Sequence, residues 1–162
     1  IAANLKAAVD NGNDPVAREA MSQAQYIAGM GFSNVGLGIV HSMAHPLGAH
    51  YDTPHGVANA LLLPYVMEYN AESPAAPKYI QIAKAMGVNT DGMTEAEGVK
   101  AAVEAVKQLS LSIGIPQKLN EIGVRKEDLH TLAIDAFNDV CTGGNPRPTS
   151  VEDIEKIYNI AY

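Results

Sequence analysis

Histidines are the residues of this sequence most suited to chemistry. Four of the five histidines lie within fifteen residues: His41, His45, His50 and His55. His41 and His45 are four residues apart, so on a helix they lie on the same face. The segment around them is apolar, which indicates that this helix is largely buried. Because neutral imidazole is a common ligand of divalent metals, the pair suggests a metal site.

Two interpretations of the histidine pair remain open from the residues alone. A histidine on an apolar face is more often a satisfied core residue than a metal ligand, and the pair lacks the glutamate of the H-E-x-x-H motif. His55 favours the metal, because Pro54 fixes the approach of the chain and Gly56 relieves crowding. His50 lies off the shared face and is expected at the surface, as is His130.

Helical spacing dominates the elements that must position these side chains. Apolar residues recur at intervals of three and four almost throughout, and no segment alternates convincingly as a strand does. The predicted fold class is therefore all-α. At this length, residues 1–162 are expected to form a single helical domain with a sizeable core.

Local signals predict where several helices begin and end. Asp14 followed by Pro15 predicts the start of a helix that runs to about Gly29. Pro46 is expected to kink or end the histidine helix, because proline removes a backbone donor. Two capping boxes are predicted from sequence spacing: Thr94-x-x-Glu97 and Thr149-x-x-Glu152.

Composition argues against several classes of protein. The net charge is −7 and no basic run is present, which argues against nucleic acid as a partner. No apolar run approaches the roughly twenty residues that a membrane span needs. The single cysteine, Cys141, excludes an internal disulfide and fits a reducing cytoplasm.

Three motifs together resemble those of a known family. They are Gly29-Met-Gly-Phe-Ser-Asn-Val-Gly-Leu-Gly38, His41-x-x-x-His45-Pro-x-Gly48 and Pro54-His55-Gly56-Val-Ala-Asn59. Matching runs follow at 112–116 and 140–147. With these motifs the chain resembles the iron-dependent alcohol dehydrogenases, and the resemblance extends over its whole length.

The resemblance implies roles for six residues. His41 and His55 match the two late metal ligands of the family, and the expected metal is Fe²⁺, with Zn²⁺ as the alternative. His45 matches a histidine beside the cofactor and the substrate, where a catalytic proton relay is expected. The counterparts of three further residues line the substrate pocket of the family: Phe32, Leu37 and Cys141.

The chain lacks the motifs of the family's N-terminal domain. In the family that domain binds the nicotinamide dinucleotide, and an early D-x-x-x-H helix supplies an aspartate and a histidine to the metal; no such motif occurs here. No G-x-G-x-x-G loop follows a predicted strand. We therefore expect a helical-bundle C-terminal domain of a two-domain metal-dependent dehydrogenase, inactive alone, with NAD(H) bound mainly by the missing N-terminal domain.

The resemblance also implies a reaction and a setting. The expected reaction is hydride transfer between NAD(H) and a small aldehyde or primary alcohol, with lactaldehyde and 1,2-propanediol favoured. The alternative within the family is a 1,3-propanediol or simple alkanol dehydrogenase. A free-standing helical interaction module without catalysis is the alternative from another class. The full-length protein is expected to be a cytoplasmic homodimer without a nucleic-acid or membrane partner.

Overall fold

The structure, a computed structural model, describes residues 1–162 and contains α-helices and short 3₁₀ turns but no β-strand. This confirms the all-α prediction. The α-helices in chain order are α1 Leu5–Asp10, α2 Pro15–Val35, α3 Ile39–Tyr51, α4 His55–Asn70, α5 Tyr79–Ala85, α6 Glu95–Ser112, α7 Leu129–Phe137 and α8 Val151–Ala161. None of them combines the length and the apolar character that crossing a bilayer requires.

The main core lies between α3, α4, α7 and α8. The histidine helix α3 packs against α4 and α7, while α8 packs against α7 and α4. A smaller second cluster joins α5 and α6 to the end of α4. The largest fully buried side chains of the main core include Ile39, Met43, Leu47, Leu62, Leu119, Leu129, Leu132, Ile154 and Tyr158.

Tyr158 connects the last helix to the histidine helix. Its ring is fully buried, and its hydroxyl donates a 2.6 Å hydrogen bond to the carbonyl oxygen of Met43 in α3. Burial raises the pKa of Tyr158 well above its ordinary value, so the hydroxyl keeps its proton and remains a donor. A buried tyrosine needs such a partner, and here the partner is the backbone of the helix that carries His41 and His45.

The prediction that Pro46 kinks or ends the histidine helix is wrong about the end. Pro46 is buried inside α3, which continues to Tyr51 and stops where Asp52 adopts a left-handed conformation with φ of 52°. An interior proline costs roughly 3 kcal/mol. The neighbouring side chains Met43 and Leu47 are completely buried, and packing of that kind outweighs the lost hydrogen bond.

The second helix is longer than predicted. Asp14 caps it as expected, accepting hydrogen bonds from the N–H groups of Val16 at 2.9 Å and Ala17 at 3.2 Å. The helix passes the predicted end near Gly29 and continues to Val35. Interior glycines cost only about 1 kcal/mol each, so they weaken a helix without ending it.

Most of α2 lies outside the core. Ala17 is its one buried residue, and α1 is the element against which it packs most. Several large apolar side chains on this helix are exposed: Val16, Tyr26, Ile27, Met30, Phe32 and Val35. The chain therefore presents an apolar helix surface that its own core does not cover.

One predicted capping box forms and the other is displaced by one residue. Thr94 and Glu97 exchange the expected hydrogen bonds at the start of α6. At the start of α8 the cap is Ser150 with Asp153, so the prediction of Thr149 with Glu152 is wrong. The hydroxyl of Thr149 instead donates to the carbonyl oxygen of Arg147 at 3.0 Å.

The segment between α7 and α8, residues 138–150, contacts the polypeptide just before α3. A Cβ atom added at Gly144 would overlap the carbonyl oxygen of Leu37, whereas one added at the neighbouring Gly143 would meet nothing within 4 Å. Glycine at 144 therefore permits a close approach of two backbones. This approach places the 138–150 loop beside the start of the histidine helix.

Replacing Ser150 by alanine should lower the free energy of unfolding by about 1 kcal/mol, because the N–H of Asp153 loses its acceptor. Urea unfolding followed by circular dichroism measures the change. Ser22→Ala is the control, since Ser22 is exposed within α2 and caps no helix. Equal losses in the two variants would contradict the assignment of the cap.

Gly144→Ala should destabilise the chain by about 1–3 kcal/mol, because two backbone segments must separate to admit the methyl group. Gly143→Ala, one residue away in open space, should change the stability by less than about 0.5 kcal/mol. Thermal or urea unfolding of the two variants beside the wild type compares them. A Gly144→Ala protein as stable as Gly143→Ala would show that this contact is dispensable.

Candidate metal centre

Three histidine rings converge at the corner between α3 and α4. The centroid of His41 lies 6.3 Å from that of His45 and 5.5 Å from that of His55, and the His45 and His55 rings stack at 5.4 Å. His41 and His45 occupy one face of α3, as the four-residue spacing predicts. His55 is the first residue of α4 and reaches the same point because the connection is short.

The short connection between the two helices determines where His55 lies. Asp52 has a left-handed backbone, and its N–H donates to the carbonyl oxygen of Gly48. The N–H of Thr53 then donates to the carbonyl oxygen of Leu47 at 3.3 Å. Aspartate tolerates this conformation better than most residues do, so the turn closes tightly. The chain consequently enters α4 beside the face of α3 that carries the other two histidines.

The electrostatics of the corner favour the neutral form of the His41 imidazole. Burial lowers the pKa of His41, and the neighbouring His55 and His45 rings lower it further, because adjacent positive charges repel. His41 is half-buried, while the side chain of His45 remains 39% exposed. A divalent metal binds the unprotonated ring, so the site already favours the form of His41 that a metal needs.

A carboxylate that was not predicted from the sequence lies against His45. The Oδ2 atom of Asp139 is 2.7 Å from Nδ1 of His45, and its Oδ1 atom accepts from the N–H of Cys141 at 2.8 Å. Burial alone raises the pKa of Asp139, but the hydrogen bonds from His45 and Cys141 outweigh it and hold the pKa below its ordinary value. Asp139 is therefore an ionised acceptor with both oxygens in use.

Cys141 is close to this pair but is not an activated nucleophile. Burial raises the pKa of its thiol, and the negative charge of Asp139 raises it further. Ligand-type atoms of His45, Asp139 and Cys141 all lie within 4.8 Å of one another. Because the carboxylate is already hydrogen-bonded at both oxygens and the thiol is protonated, we interpret the trio as a hydrogen-bonded network and not as a second metal site.

The three residues expected to line a substrate pocket lie on different elements. Leu37 is half-buried between α2 and α3, where its backbone meets the 138–150 loop. Cys141 is half-buried in that loop, so the structure brings these two segments together. Phe32 lies near the exposed end of α2, 47% accessible to solvent. A cleft of about 540 Å³ on the loop includes Phe137 and Asp139 in its lining.

Asn145, like Asp139, contacts the histidine-bearing helices and was not predicted from the sequence. Its Oδ1 atom accepts a long, 3.5 Å hydrogen bond from the N–H of Ile39, the first residue of α3. Two further hydrogen bonds, of 2.8 and 3.0 Å, join its amide to that of Asn70 at the end of α4. Gly38 cannot cap its own helix, so a residue 107 positions later supplies the acceptor. From the sequence, the glycines and prolines on either side of Asn145 predicted a loop but not these contacts.

Asn59 supports the third histidine. It lies one turn after His55 in α4, and its amide nitrogen donates to the carbonyl oxygen of His55 at 2.9 Å and lies 3.2 Å from its Nε2 atom. The Oδ1 atom of Asn59 is buried without a protein partner. The i, i+4 spacing within the third sequence motif could have revealed this contact.

Comparison with known proteins identifies the group to which this arrangement belongs. Residues 1–162 match the family described as Fe-containing alcohol dehydrogenase family, C-terminal. The chain is 56% identical over 162 residues to lactaldehyde reductase of Escherichia coli (strain K12), covering 100% of this chain and 42% of that protein. It is 44% identical to 1,3-propanediol dehydrogenase of Citrobacter freundii, with the same coverage.

The fold is shared with a solved structure. A crystal structure of 1,3-propanediol oxidoreductase superposes with a TM-score of 0.97 at 43% identity, covering 99% of this chain and 42% of that one. The chain thus spans about two fifths of the length of the relatives it matches. Matching the family description over its full length, the chain belongs to the iron-containing alcohol dehydrogenase family, of which it represents the C-terminal part.

Proposed function

We propose that the chain is the metal-binding C-terminal domain of an NAD-linked alcohol dehydrogenase that interconverts a small aldehyde and its primary alcohol. The observation that carries the proposal is the convergence of His41, His45 and His55 at one corner, within a family named for iron and alcohol. Residues 1–162 act in this proposal as a single helical domain.

The donor set fits a divalent metal but does not complete a site. His41 and His55 offer two imidazoles 5.5 Å apart, one of them already favoured in its neutral form. Imidazole suits Fe²⁺, which the family name indicates, and Zn²⁺ accepts the same ligands. Because a catalytic metal takes about three or more protein ligands, the rest must come from outside this chain. Two ligands alone predict weak binding and no dehydrogenase activity.

In the proposed chemistry the bound metal and nicotinamide supply Lewis acidity and hydride transfer, and this chain supplies the proton relay. When bound, the metal supplies Lewis acidity that polarises the carbonyl oxygen, and the nicotinamide supplies or accepts the hydride. His45 is the proposed catalytic residue of this chain, beside cofactor and substrate. With Nδ1 directed at Asp139, its Nε2 atom can hold the proton that the carbonyl oxygen takes up on reduction. Its partial exposure gives a route for exchange with solvent.

The proposed substrate pocket has a lining of mixed polarity. Phe32 and Leu37 supply apolar surface, and Cys141 supplies a neutral thiol beside the Asp139 network. Such a lining suits a short carbon chain with a polar end, and we favour lactaldehyde and 1,2-propanediol because the 56% identical relative is a lactaldehyde reductase. The 44% identical relative favours 1,3-propanediol as the second candidate, with simple alkanols beside it.

The remainder of the protein is proposed to cover the open face of α2. Large apolar side chains such as Ile27 and Met30 are exposed there, and the relatives are more than twice as long as this chain. A preceding nicotinamide-binding domain would bury that face, bind most of NAD(H) and supply the missing ligands. We place the full-length protein in the cytoplasm as a homodimer. The net charge of −7 makes nucleic acid an unsuitable partner.

In the full-length enzyme, alanine at His41 or at His55 should remove metal and activity together, because water replaces a coordinating imidazole poorly. His45→Ala should keep the metal and lower turnover by about 10²-fold or more, as loss of a proton relay requires. Metal content by mass spectrometry, beside the rate of lactaldehyde-dependent NADH oxidation, measures both effects.

The matched control is His50→Ala, since His50 lies at the surface of the same helix and pairs with Asp135 instead. It should leave metal content and turnover unchanged. A His45→Ala enzyme without metal, together with a His55→Ala enzyme that retains it, would reassign the ligands. A wild-type enzyme that holds metal but reduces no small aldehyde would refute the proposed function.

A further inference from the structure

We propose that Asp139 is a positioning residue that holds His45 in the tautomer and orientation its proton transfer needs. The inference rests on the proposed function, because it assigns the supporting partner of the proton relay. Asp139 follows α7 and lies 94 residues from His45 in the chain, yet the carboxylate and the imidazole nitrogen are 2.7 Å apart. The contact is thus built by the packing of α7 against α3.

Asp139 is itself held in place on several sides. Its backbone N–H donates to the carbonyl oxygen of Ala136 at 3.2 Å, and its own carbonyl oxygen accepts from the N–H of Thr142 at 3.1 Å. The N–H of Cys141 occupies the oxygen that His45 does not use. The carboxylate therefore has one oxygen available for the imidazole, in one direction. Such anchoring is what lets a second residue orient a histidine.

The consequence for His45 is a defined assignment of its two nitrogens. An ionised carboxylate only accepts hydrogen bonds, so Nδ1 of His45 must be the protonated donor. In the neutral ring the Nε2 atom is then the free base. Asp139 also restrains the rotation of a ring that is 39% exposed, keeping it beside His41 and stacked on His55.

A second histidine–aspartate pair, which joins α3 to α7 itself, provides a comparison. His50 Nε2 and Asp135 Oδ2 lie 2.8 Å apart, so this contact is within 0.1 Å of the 2.7 Å contact of His45 and Asp139. Both partners are nearly half exposed, at 46% and 45%, whereas Asp139 is only 19% exposed. His50 also lies outside the cluster of stacked rings. If a histidine–aspartate contact with α3 were all that mattered, replacing either aspartate would have the same effect.

The test is a double-mutant cycle in the full-length enzyme, with Asp139→Asn, His45→Ala and the double variant. Asp139→Asn should lower kcat by about 10-fold to 100-fold with metal content unchanged and KM altered less than about 3-fold. The double variant should turn over no more slowly than His45→Ala alone, because Asp139 acts through that ring. The matched control Asp135→Asn should keep wild-type kcat.

A readout independent of turnover is the tautomer of His45. Nitrogen-15 NMR of histidine-labelled, metal-free enzyme at alkaline pH should show His45 protonated at Nδ1. Asp139→Asn should shift this signal toward the Nε2-protonated form, while Asp135→Asn should leave it unchanged. His45→Ala assigns the signal by removing it.

The possible outcomes separate the two proposals. Losses of kcat that multiply in the double variant, an unchanged tautomer in Asp139→Asn, or an equal loss in Asp135→Asn would each overturn the role of Asp139. Metal lost from Asp139→Asn would also overturn it, by making the residue part of the metal site. An inactive wild type with an Asp139-dependent tautomer would refute the proposed function while supporting the positioning of His45.

Discussion

Burial of one face of α3 is the constraint on which the rest of the structure depends. Ile39, Met43 and Leu47 are completely buried at intervals of four residues, so this stripe fixes the rotation of the helix about its axis. His41 and His45 each follow a member of the stripe by two residues, which is about 200° around a helix. Packing of the apolar face therefore turns both imidazoles away from the core centre, toward the corner that His55 reaches.

Hydrogen bonds hold α3 and α4 in place in addition to the packing of the apolar core. Tyr158 is hydrogen-bonded to the middle of α3. Asn145 is hydrogen-bonded to the first turn of α3 and to the end of α4. Arg147 adds a second contact with α4, donating to the carbonyl oxygen of Tyr69 at 2.7 Å and stacking 4.0 Å over the Tyr69 ring. One loop thus holds the ends of the two histidine-bearing helices. A partly buried network of this kind is stable because its polar groups are satisfied.

The histidines are held firmly within this chain, whereas the apolar side chains of α2 are left exposed. The 138–150 loop and the core hold the histidines, while α2 presents exposed apolar residues and the chain spans about two fifths of its relatives. Two candidate ligands from this chain are rigidly placed by their helices. Two ligands are fewer than the three or more that a catalytic metal takes, which is the physical reason to propose that residues 1–162 are inactive alone.

The sequence by itself determined the features whose causes lie within one or two helical turns. The spacing of His41 and His45, the Asp14 cap and the Thr94 capping box are examples, because each depends on neighbours three or four residues away. The resemblance to the family motifs also predicted that His55 lies near His41, which sequence spacing alone could not establish. All-α architecture followed from the apolar period throughout the chain.

Only the tertiary structure decided the features that depend on distant partners. Pro46 stays inside α3 because buried neighbours outweigh its lost hydrogen bond, and Ser150 replaces Thr149 as the cap because the preceding loop engages Thr149. Asp139 and Asn145 reach α3 from 94 and 106 residues away. No local pattern encodes such contacts, since they exist only once α7 and its loop pack against the histidine helix.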